Sequence, residues 1–235
     1  MLELFSYGPL GWGDEILSGL WVTLCLAVTT LPVGLLLGFA VAGCSLSQSR
    51  IGRAIGVGYT TLMRGLPEIL TLFIVYNGFG LLLNHVVTSL FPDFGRVELS
   101  PFAAGVVALS MVFAAFAAEV LRGAFLAIPK GEIMAGQAIG MTPRQIFWRI
   151  KLPLLWRFAL PGLGNLWLNL LKDTALVSVI ALDDLMRASK VAVGVTKQPF
   201  TFYLVACLLY WVFCLLSELV LEQMEKRANR GVRSV

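Results

Sequence analysis

Residues 129–153 have the sequence PKGEIMAGQAIGMTPRQIFWRIKLP. This charged segment contains residues that favour the starts and ends of helices, and it lies between two long apolar runs. Pro129 favours a helix start and Gly140 favours a left-handed helix end, so a first helix is predicted from about Pro129 to Ile139. Thr142 is predicted to cap a second helix, with Gln145 three residues later completing a capping box. We therefore expect two short helices that meet at a glycine corner.

The last residues of the segment predict where the second helix ends. Arg149 and Lys151 stand where cations complement a helix dipole, and Pro153 is expected to limit the continuation of the helix. An exposed, charged helix pair of this kind is a surface at which a soluble partner would bind a membrane protein. The alternative is an ordinary pair of interfacial helices.

The composition is that of a membrane protein, because 58% of the residues are hydrophobic and only 14% are charged. About 20 apolar residues span the hydrocarbon core of a bilayer. Four windows are long enough, and a fifth span interrupted by Arg157, Lys172 and Asp173 is expected within 152–182. The four windows are 16–46, 69–90, 99–118 and 199–217. We predict an all-α membrane protein with about five transmembrane helices, forming one domain over residues 1–235.

Lysine and arginine fall mainly in the segments that share a side with residues 129–153, which predicts a cytoplasmic position for that loop. The N-terminus is then outside and the C-terminus inside, on the cytoplasmic face. The net charge of +4 is explained by this topology, and no basic and aromatic pattern suggests nucleic acid.

Catalytic and metal chemistry lack support in the sequence. The four cysteines lie in or beside apolar runs, and a single histidine cannot assemble a metal cluster. No Gly-x4-Gly-Lys-Ser/Thr loop is present, so the chain supplies no nucleotide site. We predict a protein that is not an enzyme by itself and binds no cofactor.

Ionisable residues at membrane depth are the candidates for a polar pathway. A charge at mid-bilayer costs at least about 2.5–3.5 kcal/mol, so Glu119, Lys172 and Asp173 need partners or a polar route. Pro67 is predicted to interrupt a helix over about 52–83, and such a break exposes backbone groups that can coordinate a polar solute. Arg64 and Glu68 flank this break.

The tract from Leu171 to Ser178 carries Lys172, Asp173 and Thr174 in an otherwise apolar helix. Two interpretations stay open. The charges pair with a neighbouring helix, for example with Arg64 or Glu119, or they line a translocation path for a charged, zwitterionic solute. Small residues at helix-packing spacing, Gly34 with Gly38 and Gly52 with Gly56, favour close packing within the subunit over a dimer seam.

The spacing of the 129–153 segment resembles the coupling loop of the membrane subunits of bacterial ATP-binding-cassette importers. The matching residues are Met134, Ala135, Gly136, Gly140 and Ile150-Lys151-Leu152-Pro153, with Met134 standing where that family has glutamate. In the family the loop docks into a groove of the ATPase subunit. Glu132 is a nearby substitute for the missing glutamate, and Met134 favours a heterodimer whose other subunit keeps it.

Four further motifs narrow the resemblance to polar amino acid importer permeases, and within these to the histidine, lysine, arginine and opine permeases. The motifs cover roughly residues 19–227. They are Tyr59-Thr60-Thr61 with Arg64, Gly65 and Pro67; 122–125 with 129–131; Ala159-Leu160-Pro161 with Gly164-Asn165; and Leu171-Lys172-Asp173-Thr174 with Leu176-Val177-Ser178.

This resemblance implies a type I ATP-binding-cassette importer permease of the inner membrane. The implied partners are an ATPase dimer that uses ATP and Mg, a second homologous permease subunit, a periplasmic solute-binding protein and membrane lipid. The implied pathway residues are Arg64, Glu68, Glu119, Lys172, Asp173 and Thr174. The implied coupling residues are Glu132, Met134, Ala135, Gly136, Gly140 and Pro153. Acidic groups suit a cationic side chain, which favours basic amino acids or opines as solutes.

Two other functions are compatible with parts of the sequence. A secondary transporter or ion-coupled channel would use the buried charges as a relay, but it would not need the glycine-cornered loop. A membrane-embedded assembly factor would not need polar residues at depth.

Overall fold

The computed structural model describes residues 2–8, 11–90 and 100–229, and in these ranges the chain is helical without strands. Two 3-10 segments, Leu2–Phe5 and Thr174–Ile180, accompany the helices. The helix α6 joins Pro143–Ile146, the π-helical Phe147–Lys151 and Leu152–Asp173. The other helices are α1 Gly13–Ser45, α2 Arg50–Gly65, α3 Glu68–Leu90, α4 Pro101–Leu126, α5 Lys130–Ala138, α7 Leu185–Thr196 and α8 Pro199–Ala228.

Among the described helices, four are long and apolar enough to cross a membrane, and they match the four windows predicted from hydropathy. These are α1, α3, α4 and α8. The expected fifth span falls on α6, whose segment Leu152–Asp173 has 22 residues and a length of about 33 Å. Arg157, Lys172 and Asp173 dilute its apolar character, which explains why composition alone does not single it out.

The predicted break at Pro67 is confirmed. Helix α2 ends at Gly65, Leu66 adopts an extended backbone with ψ 140°, and α3 begins at Glu68. Residues before proline are biased away from the helical region by the proline ring, so Leu66 is where the helix must open. Glu68 consequently lies in the first turn of a new helix, where backbone N–H groups have no intrahelical partner.

The glycine corner at the end of α5 is also confirmed. Gly140 has φ +79°, a left-handed conformation that glycine adopts without steric cost. The N–H of Met141 donates to the carbonyl of Gly136 and the N–H of Gly140 donates to that of Gln137, both at 3.0 Å. These two bonds form a Schellman motif, and α5 starts and ends within one residue of the prediction.

The predicted start of the second helix is correct, but its predicted end is wrong. The Thr142 hydroxyl accepts from the N–H of Gln145, and the Gln145 side chain accepts from the N–H of Thr142 at 2.9 Å. The helix then continues through Pro153 to Asp173, with Arg149 and Lys151 in its π-helical part rather than at its end. The π-helical register just before Pro153 accommodates the missing proline N–H, so the helix continues without stopping.

Helix α4 forms the centre of the packing, in contact with α1, α2, α3 and α6. Its buried face is rich in alanine, which lets other backbones approach closely. A Cβ atom built on Gly34 of α1 would lie 2.7 Å from Cδ1 of Phe113, and one on Gly38 would lie 3.0 Å from Cβ of Ala117. The predicted packing role of these two glycines within the subunit is confirmed.

A short helix outside the spans is anchored on α1. Asp184 caps α7 by accepting from the N–H of Arg187 at 2.9 Å, and the N–H of Leu185 donates to the Thr23 hydroxyl at 3.2 Å. A Cβ on Gly19 would lie 2.8 Å from the carbonyl of Asp184, so glycine allows this contact. Burial raises the pKa of the Asp184 carboxyl to about 6, although the N–H of Arg187 works in the opposite direction.

Candidate solute pathway and coupling surface

A small cavity lies between α3, α4 and α6, and two carboxyl groups face it. Its volume is about 130 Å³. The lining residues of α4 stand 8 to 15 residues after Pro101, about 12–22 Å along a helix of about 39 Å, so the cavity is at mid-helix depth. The lining consists of Glu68, Leu109, Val112, Phe113, Phe116, Leu166, Asn169, Leu170 and Asp173.

The carboxyl groups of Glu68 and Asp173 line the same cavity and are close enough to interact electrostatically. Two ionised carboxylates that share a half-buried site repel each other, so a proton or a cationic group stabilises the pair. Asn169 precedes Asp173 by four residues and therefore shares its helix face, where it adds a neutral amide to the same cavity. The arrangement is suited to a positively charged group that donates several hydrogen bonds.

A second group of charges lies beside this cavity. The guanidinium of Arg64 is 5.6 Å from the ring centroid of Phe116, which itself lines the cavity. Glu119 accepts hydrogen bonds from Arg122 one helical turn later, with Nη2 to Oε2 at 2.8 Å. Arg64 is also close enough to Glu119 to interact electrostatically. Glu119 is therefore neutralised locally by arginine.

The adjacent residues Lys172 and Asp173 face different surroundings. Asp173 lines the carboxyl cavity, whereas Lys172 is exposed in a separate apolar groove against α8. The suggested pairing of these charges with Arg64 or Glu119 is wrong, because Glu119 pairs with Arg122 and Asp173 faces Glu68. Thr174 is fully buried, and its hydroxyl donates to the carbonyl of Leu171 at 2.7 Å, away from the cavity.

Sequence reasoning missed Phe116 and Asn169. Each lies one helical turn from a residue that was predicted, Phe116 from Glu119 and Asn169 from Asp173. Helical spacing around the charged residues was the available signal, because side chains three or four residues apart share a face.

The coupling candidates form an exposed surface at the glycine corner. Glu132, Ala135 and Gly140 are exposed, and Met134 exposes 61% of its surface. Ile139 exposes 76%, so the surface is more apolar than its charged sequence suggests. Pro153 lies apart from this surface, inside the continuous α6.

Gly136 has a packing role that differs from that of its exposed neighbours. It is buried, and a Cβ atom there would lie 2.7 Å from Cδ1 of Ile150 and 3.4 Å from Cγ1 of Ile146. Helix α5 therefore lies directly on the first part of α6, and the two move as one unit unless this contact opens. An exposed loop that is rigidly joined to a membrane helix is able to transmit a displacement.

In the described ranges, the chain forms a helical bundle with a polar mid-depth cavity and an exposed corner, which is an arrangement that suits a membrane transport permease. The family model described as "binding-protein-dependent transport system inner membrane component" matches residues 34–230. The chain belongs to this family, and its fold is that of a type I ATP-binding-cassette importer permease, in which the ATPase is a separate subunit.

Curated relatives match over nearly the whole chain. The nopaline transport system permease protein NocQ of Agrobacterium fabrum is 42% identical over 233 residues, covering 99% of each chain. The histidine/lysine/arginine/ornithine transport system permease protein HisQ of Salmonella typhimurium is 41% identical over 223 residues, covering 95% of this chain and 97% of that protein.

A solved structure agrees with this assignment. The chain aligns with the crystal structure of an amino acid ABC transporter with histidines at a TM-score of 0.78 and 29% identity, covering 92% of this chain and 95% of that one. The comparisons thus confirm the predicted family resemblance and fold class, and they give no support to the secondary transporter.

Proposed function

We propose that this permease subunit carries solutes with a positively charged side chain, basic amino acids or opines, across the inner membrane. The main observation that supports this proposal is that the carboxyl groups of Glu68 and Asp173 line the same mid-depth cavity. Relatives whose names include histidine, lysine, arginine, ornithine, nopaline and octopine support the same solute class.

The size of the cavity limits what one subunit holds. Small-molecule sites usually measure about 300–1,000 Å³, whereas this cavity measures about 130 Å³. The cavity of one chain therefore accepts the cationic end of a solute rather than the whole solute. The rest of the path is completed by a second permease subunit, with Arg64 placed to attract the solute carboxylate.

Energy enters through the exposed corner of α5 and α6. An ATPase dimer that binds ATP and Mg engages the surface around Met134 and Gly140, and closure of the dimer displaces the corner. Because Gly136 lies against Ile150, the displacement passes into α6, which ends at Asp173 beside the cavity. Pro153 and the π-helical segment give α6 a defined place to bend.

The chain is oriented with its N-terminus in the periplasm and its C-terminus in the cytoplasm. Arg50, Arg53, Lys130 and Lys226 then all lie on the cytoplasmic side, in agreement with the positive-inside rule. A periplasmic solute-binding protein delivers the solute to the opposite side.

Uptake by the purified complex in proteoliposomes tests this function. The liposomes contain ATP and Mg, the binding protein is outside, and labelled arginine, lysine, histidine, octopine, nopaline and glutamine are compared. We expect uptake of the cationic solutes, dependent on ATP and insensitive to a proton ionophore. Uptake that an ionophore abolishes, or a preference for glutamine, contradicts the proposal.

A further inference from the structure

A buried polar cluster lies where α1, the end of α6, α7 and α8 meet. It contains Thr23 of α1, Thr174 at the start of the 3-10 segment, Asp184 at the cap of α7 and Tyr210 of α8. Thr23, Thr174 and Asp184 expose at most 2% of their surface, and the Tyr210 hydroxyl is also buried. The cluster is separate from the carboxyl cavity, whose lining includes none of these four residues.

The hydroxyl protons of the two threonines are already used in hydrogen bonds. Thr23 donates to the carbonyl of Gly19 at 3.0 Å and accepts from the N–H of Leu185 at 3.2 Å. Thr174 donates to the carbonyl of Leu171 at 2.7 Å, which leaves the lone pairs of its oxygen free to accept. The cluster can therefore accept a further hydrogen bond at Thr174, but neither threonine supplies another proton.

Tyr210 is the side chain of this cluster that can supply the proton. Its hydroxyl is close enough to interact with Thr23, Thr174 and Asp184, although it forms no hydrogen bond within residues 2–8, 11–90 and 100–229. Leaving a buried hydroxyl unpaired costs free energy, so a small side-chain adjustment that pairs it is favourable. Two acceptors compete for its proton, namely the Thr174 oxygen and Oδ2 of Asp184, which is also unpaired in the described ranges.

Thr174 is the residue through which such a bond reaches the solute site. The α-helical part of α6 ends at Asp173, and the backbone continues from Thr174 as a 3-10 segment. The last carbonyl groups of an α-helix lack an α-helical partner, so the direction of the final side chains depends on how the following residues are held. A hydrogen bond from α8 to Thr174 therefore steadies the Asp173 carboxyl that lines the cavity with Glu68.

We propose that Tyr210 is a positioning residue for the solute site: its hydroxyl donates to the Thr174 oxygen and thereby holds the Asp173 carboxyl in the cavity. The proposal rests on the proposed function, in which Asp173 binds the cationic end of the solute. Tyr210 does not line the carboxyl cavity, so it acts through Thr174 and not on the solute itself.

Tyr210→Phe tests the proposal, because this substitution removes only the hydroxyl. In the complete complex in proteoliposomes, we expect the arginine concentration for half-maximal uptake to rise about threefold to tenfold, as for one lost hydrogen bond. The maximal uptake rate, and ATP hydrolysis without solute, should stay unchanged. Tyr203→Phe is the matched control, because Tyr203 belongs to the same helix and is 38% exposed. An unchanged half-maximal concentration in Tyr210→Phe overturns the proposal.

Variants of Thr174 test the acceptor. Thr174→Val removes the oxygen at nearly the same shape and should reproduce the effect of Tyr210→Phe, whereas Thr174→Ser keeps a hydroxyl and should transport like the wild type. If Thr174→Val transports arginine like the wild type while Tyr210→Phe does not, Tyr210 donates to Asp184 instead. The proposed link to Asp173 is then overturned.

A double-mutant cycle separates positioning from a general structural effect. Asp173→Asn removes the carboxylate that Tyr210 holds, so adding Tyr210→Phe to it should not raise the half-maximal arginine concentration further. A further rise of the same factor as in the wild-type background shows that the two residues act independently, and this result overturns the proposal.

The same cycle separates this inference from the proposed function. If Asp173→Asn raises the half-maximal arginine concentration and Tyr210→Phe does not, the positioning role is overturned and the solute assignment stands. If Asp173→Asn transports arginine like the wild type, the solute assignment is overturned, and the positioning role is overturned with it.

Discussion

The exposed corner of residues 130–151 and the mid-depth cavity differ in what holds their geometry. The corner is fixed by local contacts, namely a left-handed glycine, a Schellman motif and a capping box, all within about ten residues. The cavity gathers Glu68, Phe116 and Asp173 from three helices that are distant in sequence. In the proposed transport cycle the corner passes a displacement to α6 as one unit, and movement of the surrounding helices changes the cavity.

This difference separates the expected phenotypes. Variants in the cavity should alter which solute is carried and at what concentration, without changing ATP hydrolysis in the absence of solute. Variants in the corner should disconnect ATP hydrolysis from uptake for every solute alike. A cavity variant that disconnects ATP hydrolysis from uptake, or a corner variant that changes solute preference, would contradict this separation.

The largest effect is expected for Asp173→Asn, which removes one carboxylate from the cavity. Losing one partner of a buried charge pair costs about 2–5 kcal/mol, so we expect the concentration for half-maximal arginine uptake to rise by about 30-fold or more. ATP hydrolysis without solute should stay unchanged. Asp183→Asn is the control, because that carboxylate is 90% exposed. Equal uptake by Asp173→Asn and wild type would show that the cavity is not part of the solute path.

The next largest effect is expected for Gly140→Val. A β-branched residue in the left-handed region costs about 1–3 kcal/mol, so the corner should rearrange and uptake should fall about tenfold while ATP hydrolysis continues. Gly140→Asn is the matched control, since asparagine tolerates this conformation. Coupled transport at the normal rate in Gly140→Val would refute the role of the corner.

A smaller effect, on stability alone, is expected for Asp184→Asn. The folded-state pKa of about 6 exceeds the usual value of about 3.9, so the stability contributed by protonated Asp184 is lost as pH rises through about 6. Asparagine keeps the helix cap without a buried charge. Thermal unfolding should therefore occur a few degrees higher than in wild type at pH 7.5, with a smaller difference at pH 5. Reduced uptake at normal stability would place Asp184 in the path.

The smallest effect is expected for Gln145→Ala, which removes half of the capping box. The lost hydrogen bond from the N–H of Thr142 is worth about 0.5–1.5 kcal/mol, and the Thr142 cap remains. Uptake should fall by about threefold or less. Gln223→Ala, at an exposed position of α8 outside the corner, is the control. A complete loss of uptake in Gln145→Ala would mean that Gln145 contacts the ATPase directly.

The contrast between local and distant contacts also explains what the sequence could predict. Gly140, Thr142 and Pro67 act through their own backbone neighbours, so their positions were predicted to within a residue. The sequence analysis did not predict that α6 continues through Pro153, because this continuation depends on a π-helical register that no local sequence pattern predicts. Glu119, Lys172 and Asp173 were predicted as pathway candidates because they are charges at depth, but only tertiary packing decides that Asp173 lines the cavity with Glu68 while Lys172 lies in a groove against α8.

The most direct test of the account measures ATP hydrolysis by the reconstituted complex with its binding protein, comparing arginine with glutamine in wild type and in Asp173→Asn. The account predicts stimulation of the wild type by arginine but not by glutamine, and a strongly reduced response to the same arginine concentration in the variant. Equal stimulation of the wild type by glutamine, or an unchanged arginine response in Asp173→Asn, would contradict it.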